Sequence, residues 1–264
     1  MSFRTLPTIA LPLLGLMAAG ACSSSTTTAG DASVTPAEGG ADVAPSSGEA
    51  KQTGRVVAAQ SNTPIAKASV SAAGKQAVAD AEGKYAIAVP KGKPFTIKFA
   101  AEDHYQLIEQ EYVLEQDSLD RGDSSVLPKA TATLLSALLD GYDKTRGVLA
   151  VKVIALPPCA DEEGAVVTLE PGAGSLVKYS AGGLPGSGTS ARKGETISAI
   201  FYNVPPNVPV KVTAKHPSCA QVPFPVDYSG VKYTGNQITE PGESLSFIRV
   251  FIGPTSGPAD AGTD

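Results

Sequence analysis

The sequence predicts an all-β fold in which two small β-sandwiches follow each other along the chain and are joined by a short helix. The 264 residues include 27 glycines and 21 prolines, a composition that favours turns and strands over long helices. From Gly54 onward, short apolar runs alternate with turn residues at the spacing of a sandwich. Apolar residues recur at helical spacing in one segment, 129–140.

The N-terminal segment 1–21 has the organisation of an export signal. One arginine precedes an apolar run at 6–17, which is too short to span a bilayer as a stable helix. Small residues at 18–21 then lead to Cys22. We therefore expect a signal peptide that is removed at this point.

The residues that end in Cys22 resemble the lipobox of bacterial lipoproteins, in which the cysteine is acylated and becomes the mature N-terminus. The resemblance implies lipidation of Cys22 and attachment to the membrane through fatty acyl chains. Ala19 departs from the family pattern, because leucine is usual at that position. The alternative is an ordinary secretory peptide that leaves a free Cys22 thiol.

The expected location is the cell envelope. Ser23 follows the cysteine, and by resemblance to the Gram-negative sorting rule a residue other than aspartate here implies the outer membrane. The pattern leaves open whether the protein faces the periplasm or the cell surface.

Two segments have the composition of disordered chain. Residues 22–52 are small and polar and carry almost no large apolar side chain, so they cannot bury enough surface to offset the entropy of ordering. We expect a flexible tether there. Residues 254–264 have a similar composition, which predicts a disordered tail.

The first predicted sandwich spans residues 54–116. The turn at 80–83 ends in Gly83, which we expect at positive φ. Two runs, 84–89 and 95–99, alternate apolar and polar residues as half-buried strands do. The alternation predicts one buried face for each run, formed by Tyr85, Ile87 and Val89 and by Phe95, Ile97 and Phe99.

Four marks of this module occur in the order found in a known family. They are a Gly-x-Val strand, an Ala-x-Val strand, a turn before Gly-x-Tyr and a Pro-x-Gly turn, at 54–57, 64–70, 80–85 and 89–92. In these marks the module resembles the carboxypeptidase regulatory-like domain. The resemblance implies a transthyretin-like, or prealbumin-like, sandwich that serves as an appended folding or binding module, because the peptidase site lies in a separate domain. His104 departs from the pattern, since glycine is common there.

Residues 117–146 are predicted to form a connector with a short helix at Lys129–Asp140. Pro128 precedes this helix, and Gly141 follows it as a C-cap. Four leucines recur on one face, namely Leu134, Leu135, Leu138 and Leu139. We expect these leucines to pack on one or both sandwiches, with a partner-binding helix as the alternative.

The second predicted sandwich spans residues 147–253. Strand patterns at 164–169 and 199–205 echo the first module, which indicates a weak internal repeat. This repeat predicts a second transthyretin-like or fibronectin-III-like sandwich. The Gly- and Ser-rich stretch 172–194 is its longest insertion, and we interpret it either as a binding loop at the sandwich end or as disorder.

Two cysteines, Cys159 and Cys219, fall in this second module. An exported chain reaches an oxidising compartment, so we predict a disulfide between them. The alternative is a metal pair with His216, but these side chains are too few for a structural zinc site. We therefore predict no metal.

The sequence offers no recognisable catalytic centre. Its two histidines, His104 and His216, lie in different modules, and neither occurs in a hydrolase-like motif beside a nucleophile. The net charge of -5 gives no basic face for nucleic acid. We expect a chain that is not an enzyme, without a cofactor and without a nucleic-acid partner.

The expected function is a non-catalytic, membrane-anchored envelope lipoprotein that displays its sandwiches for binding or structural support. A carbohydrate, a peptide or another envelope protein could be the partner, since sandwiches offer strand edges and loop clusters for contact. One alternative is an accessory subunit that docks on a separate exported enzyme. Another is a hydrolase with an unrecognised site.

Overall fold

The structure is a computed structural model, and it describes residues 48–254. The predicted signal peptide, Cys22 and the tether up to residue 47 lie outside the described residues, as does the predicted tail from residue 255. The described part contains twenty β-strands and one α-helix, which confirms the all-β sandwich class. No helix in residues 48–254 is both long and apolar enough to cross a membrane.

The elements of the first half are β1 (Glu49–Ala58), β2 (Ser69–Ala72), β3 (Lys75–Val78), β4 (Lys84–Pro90), β5 (Pro94–Phe95), β6 (Ile97–Ala100), β7 (Gln106–Glu109), β8 (Tyr112–Val113), β9 (Ser118–Val126) and α1 (Lys129–Ser136). The elements of the second half are β10 (Gly147–Ala155), β11 (Val166–Glu170), β12 (Leu176–Ala181), β13 (Leu184–Pro185), β14 (Ala199–Val204), β15 (Pro209–Lys215), β16 (Ala220–Gln221), β17 (Val226–Tyr228), β18 (Val231–Tyr233), β19 (Gln237–Ile238) and β20 (Ser244–Gly253).

One sheet of ten strands runs through both halves of the described chain. Its order is β13-β12-β14-β10-β20-β7-β6-β2-β3, and β16 pairs with the end of β20. The strand that comes last in the sequence, β20, lies near the centre of this sheet. It runs parallel to β10 on one side and parallel to β7 on the other. The two halves are therefore joined by strand pairing as well as by the connector.

The side chains of β20 enter two separate hydrophobic cores, because neighbouring residues of a strand point to opposite faces of the sheet. Phe247 and Phe251 pack in the first core. Ile248, Val250 and Ile252 belong to the second core. This one strand is thus buried on both faces.

The first core lies between part of the central sheet and two smaller sheets, β4-β1-β9 and β17-β18-β8-β5. The predicted buried face of β4 is confirmed, since Tyr85, Ile87 and Val89 all belong to this core. The second core lies between the other part of the central sheet and the sheet β11-β15-β19.

The predicted strand at 95–99 is divided between two sheets. Phe95, Ile97 and Phe99 are all buried, as the alternation predicts. The backbone breaks at Thr96, however, so that β5 pairs with β8 while β6 pairs with β2 and β7. The apolar alternation identifies the buried residues but not the change of sheet.

Three segments differ from the sequence interpretation. β1 begins at Glu49, inside the predicted tether, because its pairing with β4 continues to Pro90 and buries Ala50 and Gln52. β9 occupies part of the predicted connector 117–146 and pairs in parallel with β1.

The third segment contains β17 and β18, which fall in the sequence range of the second module. β18 nevertheless pairs with β8, and Val226 and Tyr233 enter the first core. Apolar alternation reveals that a segment is a strand, whereas the partner of the strand depends on the fold of the whole chain.

Candidate functional site

Helix α1 covers a groove on the central sheet. The predicted helix is confirmed but is shorter than expected: α1 ends at Ser136, and hydrogen bonds between residues three positions apart continue to Leu139. Ala132 within α1 and Leu139 after its end are both buried. Of the four predicted leucines, Leu135 and Leu139 line the groove. Leu134 and Leu138 do not line the groove, and they are 73% and 43% exposed.

Polar contacts hold both ends of the helical segment against the sheet. Lys129 forms an ion pair of 2.7 Å with Glu243, just before β20. Beyond the helix, Asp140 pairs with Lys178 of β12 at 2.9 Å. Exposed pairs of this kind contribute at most about 1 kcal/mol each, so the buried side chains beneath the helix do most to position it.

The groove has a volume of about 330 Å³. Its floor is formed by residues of β7, β10, β14 and β20, and its walls by α1 and β9. The floor residues of β10 and β20 alternate with the residues that fill the second core, so the groove lies on the opposite face of the sheet. Most of the lining is apolar and includes Leu107, Leu135, Leu139, Ile200, Leu245 and Phe247.

A cluster of three charged side chains lies at the first-module side of the groove. Glu109 of β7 accepts a hydrogen bond of 2.9 Å from Nη1 of Arg249 in β20. Nη2 of Arg121 in β9 donates to the same carboxylate oxygen at 3.4 Å. The side chains of Glu109, Arg121 and Arg249 are 9%, 11% and 21% exposed. We call these residues the Arg-Glu-Arg cluster.

Aromatic rings support both arginines of this cluster. The guanidinium of Arg121 lies 5.0 Å from the ring centre of Tyr112 and also donates to the hydroxyl of Tyr233. The guanidinium of Arg249 lies 4.6 Å from the ring centre of Phe247. Such cation–π contacts stabilise a partly desolvated charge and fix the plane of the guanidinium.

The electrostatics of the cluster favour the charged forms of Glu109 and Arg121. Burial acts to raise the pKa of Glu109, but attraction to Arg249 and Arg121 outweighs it and holds this pKa below its ordinary value. Burial acts to lower the pKa of Arg121, and attraction to Glu109 outweighs it in the same way. With two guanidinium groups and one carboxylate, the cluster carries one surplus positive charge.

A second acid at the groove is already neutralised. Asp123 of β9 lines the groove and accepts two hydrogen bonds from Arg55, at 2.9 and 2.7 Å. These bonds and the charge of Arg55 hold the pKa of Asp123 below its ordinary value. The two-bond geometry is the strong form of an arginine–carboxylate pair.

The predicted disulfide between Cys159 and Cys219 is confirmed. It links the segment after β10 to the segment before β16, and both cysteines contact the second core. His216 lies nearby, but its ring Nε2 is 2.9 Å from the carbonyl oxygen of Glu163. Its partners are therefore a backbone carbonyl and the neighbouring Ser218. Within residues 48–254, no group of three or more His, Cys, Asp or Glu side chains is placed to hold a metal ion.

The other predicted features lie apart from the groove or only touch its rim. His104 is in a loop, where its Nδ1 is 2.7 Å from the carbonyl oxygen of Glu102. The stretch 172–194 contains β12 and β13, which extend the central sheet beside β14. Pro185 of β13 lines the groove. Cys22 lies outside the described residues.

The groove itself was not visible in the sequence pattern. Glu109 and Arg249 are 140 positions apart, so no local motif joins them. One signal is present in β20, where Arg249 interrupts the series Leu245, Phe247 and Phe251 on a single face. A charged residue on the buried face of a strand indicates a buried partner or a ligand site.

No family model and no curated protein matches the chain. Solved structures with some similarity include the TIE protein of Bacillus anthracis, with 10% identity and a TM-score of 0.24 over 78% of this chain and 34% of that one. A streptococcal ancillary pilin has 8% identity and a TM-score of 0.25, covering 79% of this chain and 63% of the pilin. The minor pilin GBS52 of Streptococcus agalactiae has 9% identity and a TM-score of 0.23, covering 79% and 98%. This chain therefore spans about a third of the TIE protein and under two thirds of the ancillary pilin. At TM-scores this low, the similarity supports no conclusion about function.

Proposed function

We propose that this protein is a non-catalytic lipoprotein of the cell envelope whose sandwich body binds a ligand in the groove beneath α1. The groove is the observation that carries the proposal. It is concave, mostly apolar and bordered by a few convergent polar groups, which are the common properties of small-molecule sites. Such a lining favours an apolar ligand over a carbohydrate, which would need hydrogen-bonding groups along its whole length.

The disulfide supports the exported location in this proposal. Disulfides persist in oxidising compartments such as the periplasm and the cell surface, and they are rare in the cytosol. The Cys159–Cys219 bridge is consistent with the export signal at 1–21. The lipobox-like ending at Cys22 supplies the anchor, and Ser23 favours the outer membrane.

The family resemblance of residues 54–116 supports a binding role. The carboxypeptidase regulatory-like domain is an appended module in its family, and its site-free sandwich would here serve as part of the scaffold. In this proposal the scaffold positions β7 and β9, which contribute Glu109 and Asp123 to the groove.

A second candidate function is an accessory subunit that docks on an exported enzyme. Leu134 and Leu138 favour it, because they lie one turn apart beside the groove and are 73% and 43% exposed. Exposed leucines on a short helix can enter a groove of a partner protein. Co-purification of a stoichiometric enzyme that is lost in a Leu134→Glu, Leu138→Glu double variant would favour this candidate over the first.

The anchor is tested by metabolic labelling of the full chain with palmitate in a bacterial host. We expect label in the wild-type protein and its recovery in the membrane fraction. Cys22→Ala should abolish both, whereas the matched double variant Cys159→Ala, Cys219→Ala should keep the label. Label that persists in Cys22→Ala, or an unlabelled wild-type protein in the soluble fraction, would contradict the proposal.

A further inference from the structure

We propose that the groove binds a single-chain amphipathic anion, a medium-chain carboxylate, with its carboxylate on Arg249 and its chain beneath α1. This inference rests on the proposed binding function and specifies the chemical class of the ligand. Three features of the groove support it: the apolar lining, the volume and the surplus charge.

The lining provides a continuous apolar path between the helix and the sheet. Leu135 and Leu139 face it from the helical segment, and Ile200, Leu245 and Phe247 face it from the sheet. Each methylene group that moves from water into such surroundings strengthens binding about fourfold. A flexible hydrocarbon chain gains from this path along its whole length.

The volume of the groove favours a ligand with one acyl chain. At roughly 30 Å³ for a water molecule, a cavity of about 330 Å³ corresponds to about eleven water volumes. At roughly one water volume per methylene, this space corresponds to one hydrocarbon chain of about ten to twelve carbons, and two acyl chains would need about twice the volume. A single acyl chain of medium length fits.

The charge selects an anion. Arg249 lines the groove, and among residues 48–254 its guanidinium donates a hydrogen bond to Glu109 alone. Only Nη1 of Arg249 bonds to Glu109, so Nε and Nη2 have no hydrogen-bond partner within residues 48–254 and can donate to a second carboxylate. The other lining acid, Asp123, is paired with Arg55 and adds no surplus charge.

The surplus of one positive charge matches a monoanion. A carboxylate can accept two parallel hydrogen bonds from the planar guanidinium, which is the preferred geometry of this pair. A dianionic head group would bring in one negative charge without a partner, and a cationic head group would meet Arg249 as a like charge.

Calorimetric titration of the full-length Cys22→Ala chain tests this inference, because the variant lacks the acylation site and its acyl chains cannot compete for the groove. The probes are dodecanoate, decanoate and dodecyltrimethylammonium, all below their micellar concentrations. We expect dodecanoate to bind with one site per chain, decanoate about fifteenfold more weakly since it lacks two methylenes, and the cation at least tenfold more weakly than dodecanoate. Equal binding of the anion and the cation, or no binding of dodecanoate, would overturn the inference.

Matched variants locate the site. Leu135→Gln should weaken dodecanoate binding at least tenfold, whereas Leu134→Gln on the exposed side of the same turn should leave it unchanged. Arg249→Gln should weaken dodecanoate binding and remove the preference over the cation, whereas exposed Arg192→Gln should do neither. An equal effect of the two leucine variants, or of the two arginine variants, would contradict the placement.

Ile200→Trp provides a variant that does not disturb the charge cluster. It fills the groove from β14, and it should abolish binding while a thermal melt shows that the chain still folds. Dodecanoate binding that survives in this folded variant would refute the site. The outcome is independent of the anchor test. Label on the wild-type chain with no dodecanoate binding by Cys22→Ala contradicts the ligand class alone, and dodecanoate binding by Cys22→Ala with no label on the wild-type chain contradicts the anchor alone.

Discussion

Glu109 is the acid that two arginines share, and its replacement has a defined cost. Glu109→Gln keeps the size of the side chain but leaves Arg121 and Arg249 without their common counter-charge in a largely buried position. We expect a loss of about 3–5 kcal/mol in the free energy of unfolding, as for other broken buried pairs. Urea denaturation at pH 7 measures it.

The same residue predicts a dependence on pH. The folded state holds the pKa of Glu109 below the value of about 4.3 in an unfolded chain. Its stabilising contribution is therefore complete above pH 4.3 and is lost as the pH falls through the lower, folded pKa. The difference in stability between wild type and Glu109→Gln should shrink below about pH 4. A difference that stays constant through this range would show that the carboxylate is not the source.

Gly83 occupies a position that no other residue fits well. Its φ is +74°, as the sequence predicts, and a Cβ there would lie 2.5 Å from the carbonyl oxygen of Val56. Gly74 has a similar φ of +79°, but a Cβ there would meet nothing within 4 Å. The two glycines separate the cost of the backbone conformation from the cost of the clash.

We expect Gly74→Ala to destabilise the fold by about 1 kcal/mol, the usual cost of a left-handed residue with a Cβ. Gly83→Ala should cost on the order of 3 kcal/mol, because the backbone of β1 must also move. Thermal unfolding of the two variants under identical conditions provides the comparison. Equal losses of stability in the two variants would mean that the clash with the carbonyl oxygen of Val56 is readily relieved in Gly83→Ala.

The disulfide links two segments that contact the second core. It joins residues separated by 60 positions, and the chain-entropy treatment of a loop of this length gives about 4 kcal/mol. The Cys159→Ala, Cys219→Ala double variant should lose stability of that order, measured by urea denaturation without reductant. Wild-type protein treated with reductant should approach the variant. A variant as stable as the oxidised wild type would contradict the contribution.

Elements with strong apolar alternation could be predicted from the sequence. Tyr85, Ile87 and Val89 are buried as expected, and the leucine spacing after Pro128 identifies α1. β9 could not be predicted, because most of its residues are polar and one of its largely buried side chains is the charged Arg121. The charge of Arg121 is stabilised in this largely buried position by contacts with Glu109, Tyr233 and Tyr112.

The groove required the three-dimensional structure for a different reason. Its charged residues come from β7, β9 and β20, which meet only when the last strand enters the centre of the sheet. Parallel pairing of β20 with both β7 and β10 leaves no turn signal between neighbours. The sequence therefore indicates the strands and the disulfide, whereas the site depends on their order in the sheet.

The two sandwiches should behave as one folding unit. The described residues fall within a single compact unit, and β20 gives side chains to both cores. The floor of the groove is formed by the same strand together with β7 and β10, so its shape depends on their pairing. Loss of either core would remove one side of the support for β20.

Native-state hydrogen exchange in a Phe99→Ala variant tests this coupling most directly. Phe99 lies in the first core, is 1% exposed and makes no contribution to the second. Its truncation should cost about 3–5 kcal/mol. We predict that the slowest amides of β4 in the first core and of β15 in the second core lose protection by the same amount. Loss of protection in β4 with β15 unchanged would contradict the shared folding unit.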